Sequence, residues 1–319
     1  MSDGLVHGFE LDGAGGVRRI GLPEAAAGTG PLWLHLDYSE PDSREWIQRE
    51  SGVGEVIAEA LLAEDTRPRV VAIGEGLLIA LRGVNLNPGT DPEDMVSIRV
   101  WIDGRRVIST GRRRLVSVER LAERLEAGRG PSTIGEFVVD LVDALTARIG
   151  EVVDEAEDRV GELEESQLSA QGGDLREEIA SLRRQVIRLR RYLAPQREAI
   201  SRLHAEKVSW LGGDERLSIR EVGDRLSRHL EDLDAVRERA AIAQEELASR
   251  LAEQVNNRMY ALAIVAGVFL PLGFLTGLLG INVGGIPGAD EPRAFWLFIA
   301  ILIGIIAFQV WLFRRWKWL

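Results

Sequence analysis

Two long apolar runs near the C-terminal end dominate the pattern of hydrophobic and polar positions along the chain. The first, Met259–Leu279, contains 21 residues without a charge, and the second, Ala294–Phe313, contains 20 more. At about 1.5 Å of rise per residue, either run can cross a hydrocarbon core of about 30 Å as a helix. Buried helices of a large soluble protein are the alternative, but these normally keep a polar stripe, and neither run has one. The pattern therefore predicts a C-terminal hairpin of two membrane spans.

A helical periodicity precedes the first run. Apolar residues recur there with a heptad-like spacing, at Ile219, Leu226, Leu233, Ala240 and Leu247. Such a row is typical of a coiled coil or helical stalk. Because no glycine or proline separates the row from the first run, we expect one helix from about Leu217 to about Gly280, roughly 95 Å long. A single helix cannot bury so much apolar surface alone. It needs the two preceding helices or further copies of the chain, and we expect an oligomer.

Strand and helix signals alternate in the first 130 residues. Five stretches are predicted as strands: Val6–Leu11, Leu32–Asp37, Arg69–Ala72, Leu77–Leu86 and Val96–Thr110. In the last of these, Asp103-Gly104 predicts the two central residues of a type I′ hairpin turn. Arg44–Glu50 and Gly54–Glu64 are predicted as helices. A helix that begins after Thr133, in a capping-box pattern with Glu136, starts an all-helical region.

These patterns predict an α+β cytoplasmic domain with a long helical stalk that continues into the first of two C-terminal transmembrane helices. The expected domains are 1–130 (α/β), 131–258 (helical region and stalk), 259–313 (two-helix transmembrane hairpin) and 314–319 (basic cytoplasmic tail). The spans within the hairpin are placed at 259–280 and 294–313. Gly172-Gly173 is expected to end the first long helix of the helical region.

Basic residues flank the hairpin. Arg250 and Arg258 precede the first span and three basic residues follow the second, whereas the connecting loop has one arginine against Asp290 and Glu291. The positive-inside rule then places both termini in the cytoplasm. The N-terminal residues lack the basic and apolar segments of a secretory signal. We therefore expect a multi-pass protein of a bacterial-type inner (plasma) membrane.

Composition argues against several classes of partner, metal site and enzyme. The formal net charge of −11 argues against a nucleic-acid partner, because such partners favour a basic surface. The absence of cysteine excludes disulfides and thiolate metal ligands. The four histidines lack the i, i+4 spacing of a helical zinc site, and we expect His35 and His229 in packing roles. No nucleophile–base arrangement, phosphate-binding loop or HExxH pattern occurs, so we expect neither an enzyme nor a resident cofactor.

The first span has the features of a pore wall. Two spans cannot enclose a pore within one subunit, so several copies would have to place their first spans around an axis. Small or apolar residues share one face of this span: Ala263, Ala266, Gly267, Leu270, Gly273, Gly277 and Gly280. Close packing between membrane helices is the alternative explanation of that face. At the outer end, the glycines and proline of Gly280–Gly288 are expected to end the helix. Asn282 offers a neutral amide there to a hydrated divalent cation. Asp290 and Glu291 would attract cations to the outer mouth.

The pair of spans, closed by Gly280-Ile281-Asn282 and followed by a basic, tryptophan-rich tail, resembles the CorA superfamily of divalent-cation transporters. Most members have Gly-Met-Asn here, and the run Pro271–Gly288 is closer to the ZntB branch, which is associated with zinc. The resemblance implies a CorA-like homopentameric funnel, with the first spans lining the pore and the second spans facing lipid. It assigns Gly280, Ile281 and Asn282 to the outer selectivity element.

The same resemblance gives roles to positions deeper in the span. It implies that Asn256 forms a polar ring where the pore enters the cytoplasm. Leu262 and Leu270 match constricting positions. Gly273 and Gly277 match positions that face the pore.

The expected function is transport of divalent metal cations through this pore, with Zn2+ the favoured ion. A Mg2+ or Co2+ channel of the same superfamily is the first alternative. A membrane-anchored coiled-coil scaffold without transport is the second. Proton coupling stays open, although the first span contains no carboxylate, histidine or basic side chain. The expected partners are further copies of the chain, the lipid bilayer and the cations themselves.

Overall fold

The computed structural model describes residues 4–27, 30–166, 172–280 and 291–315, and a seven-stranded mixed sheet organises its N-terminal part. The strands are β1 (Leu5–Leu11), β2 (Val17–Arg19), β3 (Leu32–Asp37), β4 (Arg69–Ile73), β5 (Gly76–Gly83), β6 (Val96–Ile102) and β7 (Arg106–Gly111). Their order in the sheet is β2-β1-β3-β7-β6-β5-β4. β3 and β7 pair in parallel, and the other neighbouring strands pair antiparallel.

Helices make up most of the described chain outside the sheet. They are α1 (Leu22–Ala27), α2 (Pro41–Glu45), α3 (Glu55–Leu62), α4 (Val116–Glu126), α5 (Ile134–Ser166), α6 (Gly172–Ala205), α7 (Gly213–Leu279) and α8 (Ala294–Arg315). A π-helical turn, Trp46–Glu50, continues α2, where the sequence predicts one helix over Arg44–Glu50. The 67 residues of α7 include both the stalk and the first apolar run, which confirms the predicted continuous helix.

Strand β3 is buried on both of its faces. The sequence predicts alternation at Leu32, Leu34 and Leu36, yet five of the six residues of β3 are buried. The leucine face shares a core with residues of α3 and the π-helical turn. On the opposite face, Trp33 packs against Phe137 of α5, with the ring centroids 4.9 Å apart. Helices on both faces explain why the strand has no exposed side.

The β6–β7 turn differs from its prediction by one position. Ile102 pairs with Val107, so Gly104 and Arg105 are the central residues of the turn, rather than Asp103 and Gly104. The Asp103 carboxylate accepts hydrogen bonds from the backbone N–H groups of Arg105 and Arg106, at 3.2 and 3.1 Å. Asp103 thus begins the turn, and Gly104 takes the positive φ of +83°. A glycine at the first central position is typical of a type II′ turn.

The ends of the long helices agree with the sequence in part. Thr133 Oγ1 accepts the backbone N–H of Glu136 at 3.1 Å, as in a capping box. The Glu136 carboxylate instead accepts the N–H of Ser132, at 2.6 Å. The prediction that Gly172-Gly173 ends a helix is wrong, because α6 begins at Gly172. A helix can begin at glycine without loss, since its first N–H groups have no partner within the helix.

The chain forms two compact units, residues 1–245 and 246–319. In the first unit, the heptad-like row of α7 is fully buried at Ile219, Leu226, Leu233 and Ala240. Ion pairs join α7 to the two preceding helices: Arg225 with Asp143 and Arg239 with Glu164 on α5, and Asp234 with Arg190 on α6. Helices of the same chain therefore cover this row, and the row alone does not require further copies. The predicted boundaries at 130 and 258 remain predictions.

His35 is buried in the sheet, in the packing role that its strand position predicts. Its Nδ1 lies 2.8 Å from Ser109 Oγ, which also accepts the Trp33 Nε1–H at 2.8 Å. The Ser109 hydroxyl donates to the carbonyl oxygen of Leu34 at 3.2 Å, so we infer that Nδ1 carries the proton of a neutral imidazole. Burial first, and the neighbouring His7 second, lower the pKa of His35 to about 3.

Acid is therefore expected to destabilise the first unit through His35. Because the pKa is lower in the folded state, the stabilisation is complete above the unfolded pKa of about 6.5 and is lost as the pH falls from there toward about 3. Each pH unit in that window should remove up to about 1.4 kcal/mol from the free energy of unfolding. Urea unfolding of the detergent-solubilised protein and of His35→Gln, at about pH 7.5 and about pH 5, measures this contribution. We expect a smaller acid-induced loss in the variant, and equal losses would contradict the assignment.

Candidate pore helix and its partner helix

The apolar end of α7 and the whole of α8 are long and apolar enough to cross a membrane. The most apolar window of each helix is 0% buried within the chain. Exposed apolar surface of this extent is unfavourable in water and marks contact with lipid or with other protein. An α-helix satisfies most of its backbone groups internally, as a hydrocarbon environment requires, and α7 has one exception, at Pro271. Composition and exposure thus agree on the two predicted spans.

The predicted pore face of α7 is a narrow arc. At 3.6 residues per turn it is about 80° wide and contains Leu262, Leu270, Gly273 and Gly277. Leu262 and Leu270 are 69% and 71% exposed. A Cβ atom built on Gly273 or Gly277 would meet no other atom within 4 Å. Asn256 is also exposed, about 80° from the centre of the arc. Nothing in the described part of the chain covers this face.

The predicted outer selectivity element is described only at its first residue. The N–H of Gly280 donates to the carbonyl oxygen of Thr276 at 2.9 Å, directly after the end of α7. Ile281, Asn282 and Asp290 lie outside the described residues, and their roles rest on the sequence. Glu291 is exposed, and its carbonyl oxygen accepts the N–H of Ala294 at 3.0 Å, where α8 begins.

A second face of α7 packs against α8. The Nε2 amide of Gln309 donates to the carbonyl oxygen of Gly267 at 3.2 Å. A Cβ atom on Gly267 would lie 3.1 Å from Cζ of Phe313, so glycine allows this close approach. Gly267 lies about 100° from the centre of the predicted pore face. The sequence placed Gly267 on the face of small residues with both explanations open, and its contact with α8 favours helix packing at this position.

Sequence reasoning missed Gln309. Its amide is the most polar side chain in the 20-residue second run, and polar groups within membrane spans usually have a specific partner. Helix packing thus accounts for the small residue at Gly267, and the pore explanation remains a prediction for Gly273 and Gly277. Gly267 serves helix packing, whereas Gly273 and Gly277 are open.

The stalk carboxylates near the membrane are exposed, at Glu238, Glu245, Glu246 and Glu253. Two arginines of the same stretch of α7 contact other groups. Arg237 lies 3.8 Å from Asp234, and Arg239 binds Glu164 of α5 at 2.5 and 2.9 Å. The bond from Arg239 lowers the pKa of Glu164. Arg239 thus joins α7 to α5, whereas Arg237 pairs within α7.

The histidines are less scattered in the fold than in the sequence. Pairing of β1 with β3 brings His7 opposite His35, with the ring centroids 6.1 Å apart. The Nε2 of His7 lies 3.4 Å from the carboxylate of Glu119. His229 packs on Gly150 of α5, and burial lowers its pKa. Within the described ranges, no three histidine, aspartate or glutamate side chains converge on a point where a metal ion could bind.

Comparison with known proteins identifies the family. The sequence profile described as "CorA-like Mg2+ transporter protein" matches residues 28–315. This chain belongs to the CorA family. It is 45% identical over 327 residues to "Divalent cation transporter CmaX" of Pseudomonas aeruginosa, which covers 99% of this chain and 97% of the relative. It is 39% identical over 314 residues to "Zinc transport protein ZntB" of Yersinia pseudotuberculosis, which covers 98% and 96%.

A solved CorA-family structure extends the match to the fold. The structure of the full-length CmaX protein superposes with a TM-score of 0.88 and 44% identity, over 100% of this chain and 99% of that one. The resemblance inferred from the C-terminal residues is thereby confirmed, as is the fold class of a mixed-sheet unit with a long helix continuous into an apolar end. The relatives are named as transporters, in agreement with the expectation that the chain is no enzyme. Whole-chain similarity does not test the individual pore positions, which remain predictions.

Proposed function

We propose that this CorA-family protein transports divalent metal cations, with Zn2+ preferred, through a central pore lined by α7. The observation that carries the proposal is the continuity of α7. One helix includes the stalk residues buried in the first unit and the exposed residues of the proposed pore face, and it ends directly before Gly280. The same helix therefore contributes residues both to the core of the first unit and to the proposed pore wall.

The ion would meet neutral oxygen and nitrogen groups along this path. Asn282, with Gly280 and Ile281, forms the outer selectivity element, and a ring of its amides holds the cation with part of its hydration shell. Asp290 and Glu291 raise the local concentration of cations at the outer mouth. Asn256 forms the polar ring at the cytoplasmic entrance. The cation is the transported substrate, and no resident cofactor is proposed.

The pore requires several copies of the chain. One subunit has two candidate spans, and the pore face of α7 has no cover among the described residues of its own chain. Small residues on this face let several α7 helices approach one axis closely. We take five as the number of copies from the family resemblance. In this homopentamer, α8 faces lipid.

The proposal also names the preferred ion. Zinc is supported by the 39% identity to a protein named for zinc transport and by Ile281 in place of the usual methionine. The description of the family profile names Mg2+, which supports a Mg2+ or Co2+ channel as the second candidate. A loosely held hydrated ion needs no high-affinity site, so zinc transport does not depend on a histidine cluster.

The proposed location is the inner (plasma) membrane, with both termini and the first unit in the cytoplasm. The supporting observation is the charge asymmetry around the hairpin, with Arg314 and Arg315 at the end of α8. The domain boundaries 1–130, 131–258, 259–313 and 314–319 are part of this proposal.

Cation flux into liposomes tests the function. Purified protein is reconstituted around a zinc-sensitive dye, and zinc entry is compared with entry into protein-free liposomes. The membrane potential and the pH gradient are varied independently, which also detects coupling to protons. We expect zinc entry that excess Mg2+, Co2+ or Ni2+ reduces only weakly. Strong inhibition by Mg2+ would favour the second candidate. An assembled protein that passes no cation under any gradient would be the scaffold, and the transport proposal would be wrong.

A further inference from the structure

A proline within the apolar part of α7 leaves one backbone carbonyl without its usual partner. In an α-helix, the N–H of each residue donates to the carbonyl oxygen four residues earlier. Pro271 lies inside α7 and has no N–H, so it cannot donate to the carbonyl oxygen of Gly267. Inside hydrocarbon, water is not available to replace the missing bond, and an unsatisfied carbonyl is strongly unfavourable.

Gln309 of α8 supplies the missing donor. Its Nε2 lies 3.2 Å from the Gly267 carbonyl oxygen. Only the amide nitrogen of Gln309 can donate a hydrogen bond to a carbonyl oxygen, so Nε2 rather than Oε1 must point towards Gly267. The other end of the amide, Oε1, is buried and has no hydrogen-bond partner among the described residues. Its burial shows that α7 and α8 enclose the amide, and the single bond to Gly267 is the interaction that this side chain makes there.

Neighbouring residues are arranged around the same bond. Gly267 has no Cβ, and a Cβ there would be in tight contact with Phe313, 3.1 Å from its Cζ. Gln309 and Phe313 are four residues apart and share one face of α8. The chain thus brings together a missing N–H, a glycine that allows close approach, and an amide that reaches the freed carbonyl. A specific contact between Gln309 and the Gly267 carbonyl explains why these three features occur together.

We propose that Gln309 is a positioning residue for the pore helix: its amide replaces the backbone hydrogen bond that Pro271 removes, and so fixes α7 against α8. The inference rests on the proposed function, because it assumes that α7 lines the pore. Leu270 and Gly273, on either side of Pro271, lie on the predicted pore face. A shift of α7 at Pro271 would therefore move the pore wall itself. Gln309 contacts no ion and acts through the position of α7.

The test compares one substitution in two backgrounds. In the natural chain, Gln309→Leu is expected to lower the maximal zinc flux about threefold to tenfold, with little change in the zinc concentration at half-maximal flux. In a Pro271→Ala chain, the alanine N–H can serve the Gly267 carbonyl, so the same substitution should change flux by less than about 1.5-fold. Phe308→Leu, at an exposed neighbouring position of α8, is the matched control and should not change flux. Equal losses in both backgrounds, or no loss in the natural chain, would overturn the proposal.

A stability measurement separates this inference from the transport proposal. The melting temperatures of the four detergent-solubilised proteins, namely the natural chain, the two single variants and the double variant, form a double-mutant cycle. Non-additive shifts, with Gln309→Leu nearly neutral beside Pro271→Ala, support the contact even if no protein moves zinc. Additive shifts overturn it. If Gln309→Leu alone fails to assemble, assembly of the double variant supports the proposal, and failure of the double variant overturns it.

Discussion

Replacement of Asn282 by alanine is expected to abolish zinc flux while the protein still assembles. In an oligomer the substitution removes one amide from every subunit, and hence the whole ring that would hold the hydrated ion at the outer mouth. Alanine fits any backbone conformation that asparagine adopts outside the left-handed region, and it adds no bulk. We expect flux to fall at least about tenfold, because the ion then loses all its neutral ligands at the entrance together. Liposome flux and size-exclusion chromatography of the same preparation measure transport and assembly.

The neighbouring position supplies the control for this variant. Ile281→Met restores the Gly-Met-Asn that most members of the superfamily have. It should retain flux and change the order in which Zn2+, Mg2+ and Co2+ compete. Unaltered zinc flux through an assembled Asn282→Ala protein would show that the selectivity element lies elsewhere.

Local signals explain why the membrane hairpin and the continuous helix could be predicted from the sequence. To predict a span such as Ala294–Phe313, it is enough to count consecutive uncharged residues. The continuity of α7 required only the absence of strong helix-breaking signals before Met259. Pro271 lies inside α7 and does not end it, since neighbouring helices can satisfy the carbonyl that a proline frees in a membrane span.

Contacts between distant segments could not be predicted in the same way. The neighbourhood of His7 and His35 depends on the register of β1 against β3, which no local pattern defines. Likewise, the heptad-like row of α7 has the same appearance whether helices of its own chain or further copies cover it. Only the packing of α5 and α6 decides between them.

The sequence proposes the candidate site as one face of α7, but it does not define where that face ends. Helical periodicity collects small residues, and it does not say which of them meet a neighbouring helix. Gly267 proved to contact α8, because Gln309 and Phe313 approach it there. Gly273 and Gly277 remained open. The roles of Ile281 and Asn282 rest on the sequence and the family resemblance.

Chemical modification of a single cysteine introduced on the predicted pore face of α7 is expected to block zinc flux. Because the chain has no cysteine, Gly277→Cys introduces a single reactive side chain per subunit. Gly304→Cys on α8 is the matched control, since a Cβ at either glycine meets no atom within 4 Å in the single chain. A water-soluble, positively charged thiol reagent added outside the liposomes should reach position 277 through the pore and fill it with bulk and charge. Lipid around α8 should keep the same reagent from affecting flux at position 304.

The measurement is zinc flux through the two cysteine variants before and after this reagent, with modification followed by mass spectrometry. The proposal that α7 lines a cation pore predicts that flux through Gly277→Cys falls to the level of protein-free liposomes, while flux through Gly304→Cys is unchanged. Undiminished flux through a fully modified Gly277→Cys protein would contradict it.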